Sequence, residues 1–539
     1  MAVELRKFSS WPVAIAVVFL VIPPSLFYLY PSSFWANSDY QPLGLADALN
    51  FAYRIADLKM YPARGMMDHP GVPFYFMNWL ALALAGYPVA SKDAGFYTAV
   101  IAQVETFYVI TIWLGALTGA IGVYLCARGA RHLAPAGVVI FGLLVWLVST
   151  PATLLMFVSP SIESFAIVIN ALFFLVLVLL AHDRSVAPGV SALSAAVGAF
   201  AYLNKLSYIY IVLSLAATGI VNLVLRRPGW IRSGKLCVLF GAVFLAVVVA
   251  VGFLIIGRDG FHVLTEFHKQ VFRGSGMYGA GAEVVVSGDA VWRAIAAIPG
   301  DKVYALAIGL IGGGIVAAGG LVAALRGPQH LPAALIAVGA GLASASSAVI
   351  VFKHYGYHYT AGVSATLPAC VIAVYLLTKD WNYRIRLVGA LLAVGATVVM
   401  AAQTMPSLIE MLASRAKVAG IAQADMEDIR THLAGDNRLV EFVYRVPFAE
   451  YGEGFVVIYG SVPRLTAAYR QGRPNAISSM TADLTDREVG AFVLDKGYFP
   501  TADSIKSAAN IALVSPRPAT MKEGDRLIEL RTTFLLIRQ

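Results

Sequence analysis

Asp39, Asp68, His69, Glu163, Lys205, Lys353, His354 and His358 all stand at the borders of long apolar runs. His262, His268, Lys269 and Arg273 lie together in one polar stretch, and Arg54 lies between Asp39 and Asp68. Charges near a membrane are costly and persist where they face a cavity or pathway. The chain has no P-loop, no Gly-rich nucleotide fingerprint and no HExxH metal motif. That leaves a substrate delivered by the membrane, or transport. A carboxylate ringed by cations suits glycosyl transfer from a lipid phosphate. The carboxylate takes the proton of an acceptor hydroxyl. The cations hold the departing phosphate and stabilise its growing charge.

Each residue also has a plainer reading. A Lys at a span end, such as Lys205, can snorkel to the interface. Glu163 can cap the helix that follows it. Tyr355, Tyr357 and Tyr359 can belong to an aromatic belt. Asp39 can be a solvated loop acid, and Asp68–His69 can be a turn pinned by Pro70.

These residues must be positioned by membrane helices. The chain has 539 residues, 59% hydrophobic and only 13% charged, against roughly a quarter charged in soluble domains. Its apolar residues fall in runs of about 20, the length of a membrane-crossing helix. The expected fold is an all-α polytopic membrane protein. The spans lie near 11–30, 100–127, 134–150, 161–181, 187–204, 207–225, 236–256, 302–325, 331–351, 357–378 and 387–404, about eleven in all. The first run is longer than a signal-peptide core and lacks a small-residue cleavage site, so it reads as an anchor. Cys126, Cys237 and Cys370 lie within apolar stretches without metal-ligand spacing.

The net charge of +9 belongs to topology rather than to nucleic acid. With Arg6 and Lys7 cytoplasmic, the inner loops collect Arg128, Arg131, Arg184, Arg226, Arg227, Arg232, Lys235, Arg326, Lys379, Arg384 and Arg386, against Asp183 and Asp380. This satisfies the positive-inside rule. All the residues of the opening paragraph then fall on the outer side. Residues 31–99 and 257–300 become long outer loops. The run 72–88 is too short for a span and reads as an interfacial or re-entrant helix. Residues 1–404 make a membrane domain. Residues 405–539 make a small α/β domain outside, with strands expected at GFVVIYGS, GAFVLDKG and NIALVSP.

The order of these features resembles the GT-C glycosyltransferases, in the branch of protein O-mannosyltransferases and the bacterial lipid A aminoarabinose transferase. An acidic motif follows the first span, here Ser38-Asp39-Tyr40 without the second acid. The first outer loop closes on Asp68-His69-Pro70, with Gly71 where the family has a second proline. Ser159-Pro160-Ser161-Ile162-Glu163, Leu203-Asn204-Lys205 and HYGYHYTAGVSATLPA match three later motifs. The resemblance covers roughly residues 10–405 and implies an integral glycosyltransferase with a polyprenyl-phosphate-sugar donor and inverting single displacement. Asp39 would be the general base, with Asp68 a second acid. His69, Lys205, Lys353 and His354 would meet the donor phosphate, with Arg54 and Arg273 behind them. Glu163, His268 and His358 would complete the site. The branch need not use a metal, and a divalent metal on Asp39 and Asp68 stays open. The partners implied are the lipid donor, membrane lipid, and an envelope glycan, lipid or protein acceptor, at the periplasmic face of a bacterial inner membrane. A transporter or lipid flippase is the alternative reading, but no internal repeat of the kind transporters carry is seen. A non-catalytic assembly protein is the third.

Overall fold

The structure, a computed structural model, describes residues 10–30, 71–87, 99, 104–158, 161–183, 186–272, 288–353, 355–434, 438–443, 476–478, 489–511 and 519–539. For residues 252–272 and for Lys353 it describes the backbone alone. Asp39, Arg54, Asp68, His69, Arg273 and His354 lie outside the described residues.

Among the described residues, nine helices are long and apolar enough to cross a membrane. A tenth span is a broken pair, α4 (Ala136–Val148) and α5 (Ala152–Val158), bent by 77°. Pro151 stands in the break, where its ring and missing N–H disfavour a continuous helix. Helix α7 (Pro188–Asn204) has 17 residues, about 25 Å of rise, short of the ~20 residues of a full span. With it, helices occupy all eleven expected segments. The chain is a multi-pass membrane protein. In hydrocarbon the backbone must satisfy its own hydrogen bonds, so apolar runs of this length become helices.

The other membrane helices are α1 (Trp11–Leu29), α3 (Val104–Ala130), α6 (Ala166–His182), α8 (Ile209–Arg226), α9 (Trp230–Phe272), α11 (Ala305–Leu325), α12 (Leu331–Lys353), α13 (Thr360–Ser364) with α14 (Leu367–Thr378), and α15 (Tyr383–His432). Helix α2 (Val72–Leu84) has 13 residues, about 20 Å, and fits the expected short helix of the first loop. Helix α10 is Gly288–Gly300. Residues 257–272 continue α9 as helix beyond its apolar span, which ends at Val251. His262, His268 and Lys269 therefore sit on a helix.

Helices α11 and α12 pack most closely. A Cβ on Gly341 would meet the Ala317 nitrogen at 2.4 Å, and one on Gly313 would meet the Ala345 nitrogen at 2.8 Å. The two backbones are in contact, as small residues permit within membranes.

Contacts divide the chain into two compact units. The first comprises residues 1–24, 68–74 and 113–408; the second comprises 25–67, 75–112 and 409–539. Within the second, a five-stranded sheet is built from β1 (Leu439–Phe442), β2 (Ala476–Ser478), β3 (Val489–Asp495), β4 (Arg526–Glu529) and β5 (Thr533–Ile537), in the order β2-β1-β3-β5-β4. Strand β1 is parallel to β2 and β3; β5 is antiparallel to β3 and β4. Ala491 and Val493 of β3 face Met426 and Ile429 of α15, while Phe492 and Leu494 face Ile505 of α16 (Ala502–Lys506). Both faces of β3 are covered, so its run is continuously apolar. It is the strand expected at GAFVLDKG. The run GFVVIYGS lies outside the described residues, as do 512–516 of NIALVSP, whose described Asn510 and Ile511 are not in a strand.

The acid Asp425 of α15 ties this helix to the β4–β5 turn. It accepts the Arg531 N–H at 3.0 Å and the Thr532 N–H at 2.7 Å. Burial alone would raise its carboxyl, but these bonds from Thr532 and Arg531 outweigh it and hold it below the ordinary aspartate value.

Candidate functional site

Within the first unit, three spans begin in the same way. One residue is extended: Ser161 (φ −139°, ψ 177°), Lys205 (φ −158°, ψ 136°) and Gly356 (φ −136°, ψ 130°). A 3₁₀ turn follows, at Ile162–Phe165, Leu206–Tyr208 or Tyr357–Tyr359, and then α-helix. The first i→i+3 bond of each turn is 2.9 Å long: Ser164 to Ser161, Tyr208 to Lys205, Tyr359 to Gly356. Short 3₁₀ pieces are common helix ends. Here each carries one candidate: Glu163 in the first, Lys205 at the head of the second, His358 in the third.

The three turns meet. The Lys205 ammonium pairs with Glu163 Oε1, and both residues are 3% exposed. The ammonium also lies 4.0 Å from the centre of the Tyr359 ring, a cation–π contact. The His358 ring lies against that of Tyr359, tilted by 52° with centroids 4.0 Å apart. Ser161 Oγ donates to Glu163 Oε2 at 2.8 Å. Thus Lys205 does not snorkel, Glu163 does not cap a helix, and Tyr359 is not a belt residue. Tyr355 is likewise engaged, donating to Asp301 Oδ2 at 2.5 Å.

A polar shell surrounds the pair. Asn204 Nδ2 donates to the Ile162 carbonyl at 3.3 Å, linking the first two turns. Asn170 Nδ2 donates to Tyr210 Oη at 3.0 Å. The Tyr208 hydroxyl is buried without a hydrogen-bond partner among the described residues. Buried polar groups are seldom left so, which marks Tyr208 as a group that could meet a ligand. Sequence reading named Ser161 and Asn204 only as members of motifs and did not single out Tyr208. The first two adjoin residues it singled out; the turn pattern SPSIES, NKLSY, YGYHY is the signal.

Gly71 joins the same place. Its N–H donates to the Asn204 carbonyl at 2.9 Å, and its φ is +56°. Proline is fixed near −65° and has no N–H. Both properties forbid proline at 71, which accounts for the departure from the family's double proline.

The broken pair and the neighbouring spans close this end of the unit. Thr150 shares a 2.9 Å bond with Thr360, and Thr153 one of 2.9 Å with Ser364. Ala305 N–H donates to the Ser149 carbonyl at 2.9 Å. Among the described residues no group of three or more His, Cys, Asp or Glu could hold a metal.

No family model and no curated protein matches the sequence. Solved structures do match. One is the crystal structure of ArnT from Cupriavidus metallidurans bound to undecaprenyl phosphate, with a TM-score of 0.52 and 13% identity over 98% of each chain. ArnT is a GT-C protein. This chain has the GT-C fold. The likeness runs over 98% of both chains. At 13% identity, residue roles do not transfer with it.

Proposed function

We propose that the protein is a bacterial inner-membrane glycosyltransferase working on the periplasmic face. It would move a sugar from a polyprenyl-phosphate-linked donor to an envelope glycan, lipid or protein acceptor. The reading rests on one observation above others: a GT-C neighbour solved with undecaprenyl phosphate bound. The convergence of Glu163, Lys205 and His358 on one set of entry turns supports it.

Asp39 acts as general base. The acceptor oxygen attacks the anomeric carbon as the bond to the phosphate oxygen breaks, and the bond electrons leave with the phosphate. Configuration inverts in this single displacement. His69, Lys353 and His354 meet the phosphate, with Arg54 and Arg273 as further cations and Asp68 orienting His69. Lys205 is recast by its burial: its charge is already matched by Glu163, so it acts on the phosphate through the position of the turns. Gly71 is bonded beside Lys205, and the Asp68–His69 candidates lie only three and two residues upstream. The N-terminus is cytoplasmic and residues 405–539 are periplasmic in this reading.

The test is sugar transfer from a polyprenyl-phosphate donor by wild type and Asp39→Asn. A loss of about 100-fold or more is expected, the scale of general-base catalysis. Full activity in Asp39→Asn would remove Asp39 from the mechanism.

A further inference from the structure

At the far end of α6 and α8 from the entry turns, about 25 Å of helix rise away, a groove opens between α6, α7, α8 and α9. Its volume is about 260 Å³. Its walls are apolar, with Leu180, Val190, Leu215, Ile220, Leu236 and Phe240 among the lining residues. The polar side chains that line it are turned to the protein. Ser191 Oγ donates to the Leu236 carbonyl at 3.0 Å and Ser194 Oγ to the Val190 carbonyl at 2.7 Å. Asn222 Oδ1 accepts from Arg226 Nε at 2.6 Å. The inner wall therefore asks for hydrocarbon.

The mouth asks for an anion. Arg226, Arg227, Arg232 and Lys235 lie within ten residues at the ends of α8 and α9, close in the chain to the lining residues Leu223 and Leu236, and outnumber Asp183, the charged residue that itself lines the groove. The Arg226 guanidinium reaches across to the Ala181 carbonyl at 2.9 Å, and that of Arg232 to the Val186 carbonyl at 3.4 Å. Arg227, Arg232 and Lys235 are exposed. Trp230 between them is 85% exposed, as tryptophans at headgroup level are. A hydrocarbon slot under a cationic rim at this depth fits a lipid with an anionic head.

We propose that this groove binds an anionic diacyl phospholipid of the leaflet opposite the entry turns. One acyl chain lies along α8 and the phosphate rests against Arg227, Arg232 and Lys235. The site does not depend on the transfer chemistry.

The test uses the full chain in neutral detergent, titrated with phosphatidylglycerol or phosphatidylcholine and read by native mass spectrometry. Wild type should retain one phosphatidylglycerol per chain with about tenfold preference over phosphatidylcholine, given the surplus of basic charge. A Cβ on Gly219, which lines the groove, meets no atom within 4 Å. Gly219→Leu should therefore fill the slot and lose the lipid while unfolding at an unchanged or higher temperature. Arg227→Ser with Lys235→Ser should keep a lipid but lose the preference. A second readout needs no variant: Cys237 lines the groove and is exposed, whereas Cys126 and Cys370 are buried. Phosphatidylglycerol should slow maleimide alkylation of Cys237 several-fold. Equal retention of phosphatidylcholine, undiminished binding by Gly219→Leu, or no protection of Cys237 would overturn the proposal. So would displacement of the phospholipid by undecaprenyl phosphate at equal concentration.

Discussion

Lys205 and Glu163 are both 3% exposed, so neither charge can stand alone. Removing one partner of a buried ion pair costs about 3–5 kcal/mol, because the other is left uncompensated away from water. Lys205→Met should therefore lower the thermal stability of the detergent-solubilised protein sharply. The double variant Lys205→Met with Glu163→Leu should recover most of that loss. An additive loss in the double variant would show the pair to be less tightly coupled than its geometry implies. Composition made a charge at 205 visible, because a lysine between two apolar runs is rare. It could not reveal that the partner lies 42 residues upstream. Nothing local in NKLSY distinguishes a lysine that reaches water from one that reaches Glu163. The same holds for Tyr359, whose ring serves Lys205 rather than the interface.

The entry turns carry this geometry at the level of elements, and Gly71 fastens the first loop to one of them. Its positive φ costs a residue with a Cβ about 1–2 kcal/mol. Gly71→Ala should therefore weaken the attachment modestly. Gly71→Pro should weaken it more, losing the bond to Asn204 as well, and should lower sugar transfer beyond the alanine variant. Equal transfer by both variants would show that the bond to Asn204 does not hold the loop. Span positions were legible because hydrocarbon leaves the backbone one solution. The continuation of α9 through residues 257–272 was not. Its His, Lys and Arg residues broke the apolar run, while helical hydrogen bonding does not require apolarity. Strands β1, β2, β4 and β5 were missed for a related reason: each has five residues or fewer, too short to show a period of its own.

Across the whole molecule the same rule of burial sets responses to pH. Glu441 of β1 is 1% exposed, and burial pushes its carboxyl up to about 8. The unfolded chain releases this proton near 4.3, so between about 4.3 and 8 the folded sheet holds a proton that the unfolded chain has lost. Stability must then fall as pH rises through that window, by at most roughly 1.4 kcal/mol per unit. Asp425 acts in the opposite sense: its depressed carboxyl contributes stability above about 3.9 that is lost as pH falls through the folded value. Hydrogen exchange of β1 and β3 amides in the intact protein should therefore quicken from pH 6 to 8 beyond the intrinsic rate. Glu441→Gln should remove that excess. An unchanged excess would assign the slope to another group. The close backbone contact of α11 and α12 has a consequence for biosynthesis. They lie against each other with only residues 326–330 between them, so the hairpin can assemble on leaving the translocon, before α13–α15 exist. Gly341→Leu should leave insertion and topology intact, as read by the accessibility of engineered cysteines. The inserted chain should nonetheless be degraded faster in cells, because this hairpin no longer closes.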